Sequence, residues 1–152
     1  MVLKSNPCPP SWKYYNVTGF CYAVFHDMNW ADAEKKCIQE GSHLASIHSE
    51  KEGIFVAELA KPFTSTYHHW PSQPFIGLFS IDNGTTWQWT DKTPMDYTRW
   101  NIYEPSLSNG EYCGQIWSSE DHFSVKTGHF NNFSCDRILK SFLCKKMSNP
   151  NH

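Results

Sequence analysis

The chain has 152 residues, enough for one domain that buries about two-thirds of its unfolded surface. Aromatics make up 16% of it and the formal net charge is −2, so a core is easily supplied and a nucleic-acid partner, which calls for a basic face, is disfavoured. No apolar run approaches the ~20 residues that a membrane span needs. Residues 1–7 are polar and read as a loose tail, as do 147–152, leaving 8–146 as the domain. Met1-Val2-Leu3-Lys4 is too short for a secretory leader, and Met1 reads as an expression start on a mature fragment.

Ser11 to Tyr15 and Phe20 to Phe25 read as two aromatic strands around a turn at Asn16–Gly19. Asn29 then caps a helix over roughly 30–40, with Trp30, Ala33 and Cys37 on one face and Gly41 as its stop. His43 to Ile47 is strand-like. Ser49 and Glu52 form a capping box, each side chain able to satisfy the other's free amide. That box opens a second helix with Phe55, Val56, Leu59 and Ala60 on one face, ended by Pro62. Phe63 to Pro74 carries no assignable period, and its His68-His69 pair reads as solvated rather than zinc-binding.

Phe75 to Phe79 is a buried-strand run, and Thr86 to Thr90 alternates as a half-buried strand. No regular period appears from Asp91 to Gly110, and a loop of that length inside a domain is usually functional or disordered. Aromatic anchors at Tyr97, Trp100 and Tyr103 favour order, Trp100 above all by packing. Short strands follow at Tyr112–Trp117, near Phe123-Ser124-Val125, at Gly128–Asn131 and at Lys140–Lys145. Two early helices and many late strands predict an α+β domain.

Cys8, Cys21, Cys37, Cys113, Cys135 and Cys144 contain no C-x-x-C pair, so neither a zinc knuckle nor a thioredoxin motif is supported. An even count at wide spacing favours three disulfides and an oxidising, extracellular setting, with fifteen pairings open. Sequons at Asn16, Asn83 and Asn132 point the same way. If Cys113 and Cys135 are bridged, Glu104 and Glu111 are brought beside Asn131 and Asn132. Two carboxylates and two carboxamides on one loop surface would suit a hard cation such as calcium. Asp121-His122 near Ser118 and Ser119 is no catalytic triad, since nothing marks a nucleophile elbow, and an enzyme is not expected.

From Cys8 to Cys144 the chain resembles a C-type lectin-like domain of the long, three-disulfide form. The carriers are Cys37, the run Gly41 to Ile47, Phe75-Ile76-Gly77-Leu78, Trp87-Gln88-Trp89, Trp100, Glu104-Pro105-Ser106, Glu111-Tyr112-Cys113, Cys135 and Phe142-Leu143-Cys144. The resemblance implies two helices flanking small antiparallel sheets, a long ligand-binding loop, and the pairs Cys8–Cys21, Cys37–Cys144 and Cys113–Cys135. The Cys37–Cys144 link would contribute on the order of 4–5 kcal/mol in the chain-entropy model.

It also implies one Ca2+ held by Glu104, Ser106, Glu111, Asn131 and Asn132, with Glu104, Ser106, Glu111 and Asn131 also touching carbohydrate. A glycan of the mannose, glucose or fucose type would complete the ion's shell. The family's motifs carry Asn where Ser106 stands, Asp where Asn132 stands and Trp where Phe130 stands. The Glu104–Glu111 interval is one residue shorter than in the mannose-binding pattern. Asn109 is a candidate to supply the missing oxygen. The alternative is a calcium-independent module that holds a protein or lipid partner.

Overall fold

The computed structural model describes residues 6–65, 69–106, 110–122 and 125–150. The first hairpin pairs β1 (Lys13–Tyr15) with β2 (Phe20–Met28), and β2 runs along most of β8 (Leu139–Met147), with Ala23 opposite Cys144. Cys8–Cys21 closes the hairpin and Cys37–Cys144 ties α1 to β8 across a separation of 107 residues. The third bridge is Cys113–Cys135, so all three pairings implied by the resemblance are present.

Helix α1 (Trp30–Gln39) starts where expected, because Asn29 accepts the Asp32 N–H at 2.9 Å. It buries Ala33 and Cys37, and Trp30 donates its indole N–H to the Ile76 carbonyl at 2.9 Å. Gly41 follows the helix at φ +72°, a left-handed conformation in which other residues are strained.

Helix α2 (Glu50–Ala60) buries Val56, Ala57 and Ala60, while Phe55 and Leu59 pack at the edge of the core. Its capping box is only half formed. Ser49 Oγ accepts the Glu52 N–H at 3.1 Å, but the Glu52 carboxylate does not return to Ser49. It accepts the His48 N–H at 2.8 Å, the Tyr22 hydroxyl at 2.5 Å and the Lys145 ammonium at 2.6 Å. Glu52 is 1% exposed, so a buried cation is a far stronger claim on it than a helix-end amide. Burial, with the Glu52 charge adding, pushes the Tyr22 phenol up, so it stays a donor.

Some of the remaining strands are shorter than the sequence predicts, while Phe75–Phe79 forms over its predicted span. β3 is His43–Leu44 alone, with the Ala45 N–H continuing to the Leu143 carbonyl at 2.9 Å. β4 (Phe75–Phe79) is buried, and β5 is only Gln88–Trp89. β6 (Cys113–Ile116) pairs antiparallel with β4 on one side and with β7 (Phe130–Phe133) on the other. Where small antiparallel sheets are expected, the strands join into one mixed sheet of order β1-β2-β8-β4-β6-β7, through a parallel contact of Phe75 with Phe142. Gly114 permits the β4–β6 approach, since a Cβ there would lie 2.5 Å from that of Leu78.

Segment 91–106 is irregular, as predicted, but anchored. Arg99 and Asn101 bond across to Phe130 at 2.7 and 2.9 Å, and the Trp100 ring meets those of Trp87 and Phe130. Tyr97 also packs on Phe130, whereas Tyr103 is 88% exposed and anchors nothing. No helix among the described residues is long and apolar enough to cross a membrane. The strand expected near Phe123-Ser124 lies partly outside the described residues; at its margin His122 bridges Val125.

Candidate functional site

The expected site splits between a loop and a strand. β7 begins two residues later than its sequence pattern suggests, so Asn131 and Asn132 sit inside it, paired with Gln115 and Gly114. They are 1% and 3% exposed, not part of a solvated loop. Glu104, Ser106 and Glu111 are half-buried in the irregular segments beside them, and the Glu104–Pro105 bond is cis. Asn109 and His68 lie outside the described residues.

A small cleft of about 160 Å³ is lined by Trp70, Glu104, Glu111, Asn131, Asn132 and Phe133. Four of the five expected site residues therefore share one cavity, and Ser106 borders it through hydrogen bonds. Among the described residues no Lys, Arg or His lines the cleft, so within that set its two carboxylates face no built-in counter-charge. Burial, with the nearby Glu111 charge adding, raises the Glu104 carboxyl above its ordinary range despite the hydrogen bond from Ser106. Burial raises Glu111 as well. A site that makes two carboxylates costly to ionise suits an added cation.

The carboxamides behave differently. Asn132 is fully occupied with backbone: its Oδ1 accepts the Ser106 N–H at 2.8 Å, and its Nδ2 donates to the carbonyls of Ser106 and of Glu111, the latter at 2.7 Å. This side chain staples the two walls of the cleft together. An aspartate could accept the first bond but not donate the other two. Asn131 Oδ1 accepts from Asn101 Nδ2 at 2.7 Å, and Asn101 is itself oriented by the Lys126 N–H at 2.9 Å. That chain fixes which end of each amide faces which, and leaves buried Asn131 Nδ2 without a partner among the described residues. The Ser106 N–H also reaches Glu104 Oε2 at 3.0 Å.

The donor set thus fits a cation through Glu104 and Glu111, while the two carboxamides spend their oxygens within the protein. Among the described residues, no group of three His, Cys, Asp or Glu gathers as a metal cluster would require. Engagement of Nδ2 and burial also set the Asn132 sequon apart from Asn16 and Asn83, which are exposed.

Two members of the site carry no signal in the sequence. Asn101 is 2% exposed and orients Asn131, yet looks like any polar loop residue. Trp70 lies in a stretch with no assignable period, and its carbonyl is held by Gln115 Nε2 at 3.1 Å, 45 positions away.

The family profile of the lectin C-type domain matches residues 26–146. A C-type lectin mannose-binding isoform from Oxyuranus scutellatus is 38% identical over 142 residues, covering 91% of this chain and 82% of that protein. Among solved structures, the cow C-type carbohydrate-recognition domain of CD23, determined in the presence of a GlcNAc2Man3 oligosaccharide, superposes with a TM-score of 0.74 at 26% identity, over 95% of this chain and 99% of that one. A calcium-independent type II antifreeze protein superposes equally well, with a TM-score of 0.74 at 25% identity over 93% and 95% of the two chains. The match is to a lectin domain and not to an enzyme family. With the three bridges, the α+β sheet and this profile in agreement, the chain belongs to the C-type lectin family.

Proposed function

We propose that this domain is an extracellular lectin that binds glycans of the mannose, glucose or fucose type at the Glu104–Glu111 cleft, with one weakly held Ca2+. The observation that carries the reading is a pair of half-buried carboxylates in one cleft with, among the described residues, no cationic side chain lining it. A bound Ca2+ would be held by Glu104 and Glu111 and would supply the positive charge that draws in neighbouring sugar hydroxyls. The remaining carboxylate lone pairs only accept, so they select hydroxyls that donate. Ser106 and Asn132 hold the cleft walls in register through their mutual hydrogen bonds. Two carboxylates rather than three support a dissociation constant of ~10⁻⁴–10⁻³ M, typical of extracellular calcium modules. The mannose-binding relative supports the sugar class, and three disulfides support an oxidising compartment.

A second reading, a calcium-independent module for a protein or lipid partner, is favoured by one feature. The Asn132 staple already joins the cleft walls without an ion, and one structural neighbour is a calcium-independent protein. Retention on a mannose resin, with and without chelator, separates the two. Retention lost in chelator supports the lectin reading. Failure to bind in millimolar calcium overturns it in favour of the second.

A further inference from the structure

The three sequons share one acceptor pattern, but the fold treats their asparagines differently. An N-glycan is bulky and hydrated, so the folded domain accommodates it only where the asparagine faces solvent. Asn132 fails that requirement. It lies inside β7, is 3% exposed, and donates through the very nitrogen that a glycan would occupy. Asn16 is exposed in the turn between β1 and β2, but the hydroxyl that completes its acceptor motif is committed. Thr18 Oγ1 lies 2.8 Å from the Tyr22 hydroxyl and 3.3 Å from the Tyr15 carbonyl, and the Cys8–Cys21 bridge closes that hairpin.

Asn83 differs on each point. It stands in turn 82–85 beyond β4, closed by the Thr85 N–H on the Asp82 carbonyl at 3.2 Å. Asn83 and Gly84 both take positive φ, +59° and +82°, a conformation that favours asparagine and glycine. Other groups build the turn. Asp82 accepts the Ser80 hydroxyl at 2.8 Å, the Thr86 N–H at 2.9 Å and the Thr86 hydroxyl at 2.6 Å. The Gly84 N–H donates to Ser80 Oγ at 2.8 Å. Among the described residues, neither the Asn83 carboxamide nor the Thr85 hydroxyl takes part in these bonds, and both residues are exposed.

We propose that Asn83 is an N-glycosylation site and the most fully occupied of the three sequons. The inference rests on the extracellular reading above and is independent of the calcium and sugar readings. In the reaction, Asn83 Nδ2 attacks the anomeric carbon of an N-acetylglucosamine carried on a lipid pyrophosphate. The N-glycosidic bond forms and the carbon–oxygen bond to pyrophosphate breaks. The lipid pyrophosphate leaves with that electron pair, and the amide proton passes to a base of the transferase. The product displaces none of the hydrogen bonds that build the turn.

The test expresses the whole chain behind a secretion leader in a eukaryotic host and recovers the disulfide-bonded protein from the medium. Enzymatic removal of N-glycans in heavy-oxygen water converts each glycosylated asparagine to a labelled aspartate, which peptide mass spectrometry locates. Asn83 is expected to carry the label in most molecules, Asn16 in fewer and Asn132 in none. Thr85→Ala deletes the acceptor hydroxyl while keeping the Asn83–Gly84 turn, and should abolish the label on Asn83 without changing the melting temperature of the deglycosylated protein. Thr85→Ser should restore it. An unmodified Asn83 in the recovered protein overturns the proposal and leaves the extracellular reading intact, as does a glycan on Asn132. A chain that never acquires its three disulfides on this route defeats the extracellular reading itself, and this inference with it.

Discussion

Replacing Asn132 by aspartate exchanges one NH2 group for an oxygen in a side chain that is 3% exposed. Charge counting alone predicts a gain, since a third carboxylate should strengthen a calcium site. The hydrogen bonds predict a cost that comes first. Asn132 Nδ2 donates to two carbonyls, those of Ser106 and Glu111, and both donations vanish in the variant. Each carbonyl left facing a carboxylate in this part-buried setting costs roughly 1–3 kcal/mol, offset by about 1 kcal/mol where the Ser106 N–H now meets a charged acceptor. The expected net loss without calcium is about 1–5 kcal/mol. For a domain of this size that corresponds to a drop in melting temperature of roughly 2–20 °C. Calcium should recover most of the loss, because the ion supplies the counter-charge that the amide hydrogens no longer provide. Differential scanning calorimetry of both proteins, in chelator and in millimolar calcium, reads the whole cycle. A variant as stable as wild type in chelator would refute the stapling role of Asn132.

The raised Glu104 and Glu111 carboxyls make calcium binding pH-sensitive. Affinity should begin to fall on acidification while still above the ordinary value of 4.5, and calorimetric titration across pH checks this. The same shifts carry a stability sign. Without calcium, the pair's favourable contribution is complete below the ordinary carboxylate range and is lost as pH rises through the raised values, so E104Q/E111Q should lack that decline in melting temperature. Lys145→Met leaves the Glu52 charge buried beside the Tyr22 hydroxyl, and denaturant unfolding should show a loss of about 3–5 kcal/mol; a loss under about 1 kcal/mol would contradict the buried ion pair. Gly114→Ala forces a Cβ to within 2.5 Å of Leu78, and overpacking between β4 and β6 should cost about 1–3 kcal/mol by the same measurement.

Much of this domain is legible along the chain. Asn29 and Ser49 mark both helix starts because a side-chain oxygen three residues before a free amide is a local device. Trp100 as a packing residue follows from its place among aromatics in an aperiodic stretch, and it does meet Trp87 and Phe130. The half-formed capping box shows where such reading stops. Glu52 satisfies the local pattern equally well whether it returns to Ser49 or turns inward, and only the arrival of Lys145 and Tyr22 from other strands decides the matter.

By itself the sequence determined the α+β class, the six-cysteine framework, the two capped helices and the acidic pair Glu104 and Glu111. Each rests on composition, period or spacing within a few residues. Tertiary structure alone decided that Asn131 and Asn132 lie in a buried strand, that Asn132 staples Ser106 to Glu111, and that Trp70 joins the cleft. A carboxamide can donate or accept, and an indole can bury or face solvent. Their roles are set by partners 21 to 47 positions away, which only the folded sheet brings into contact.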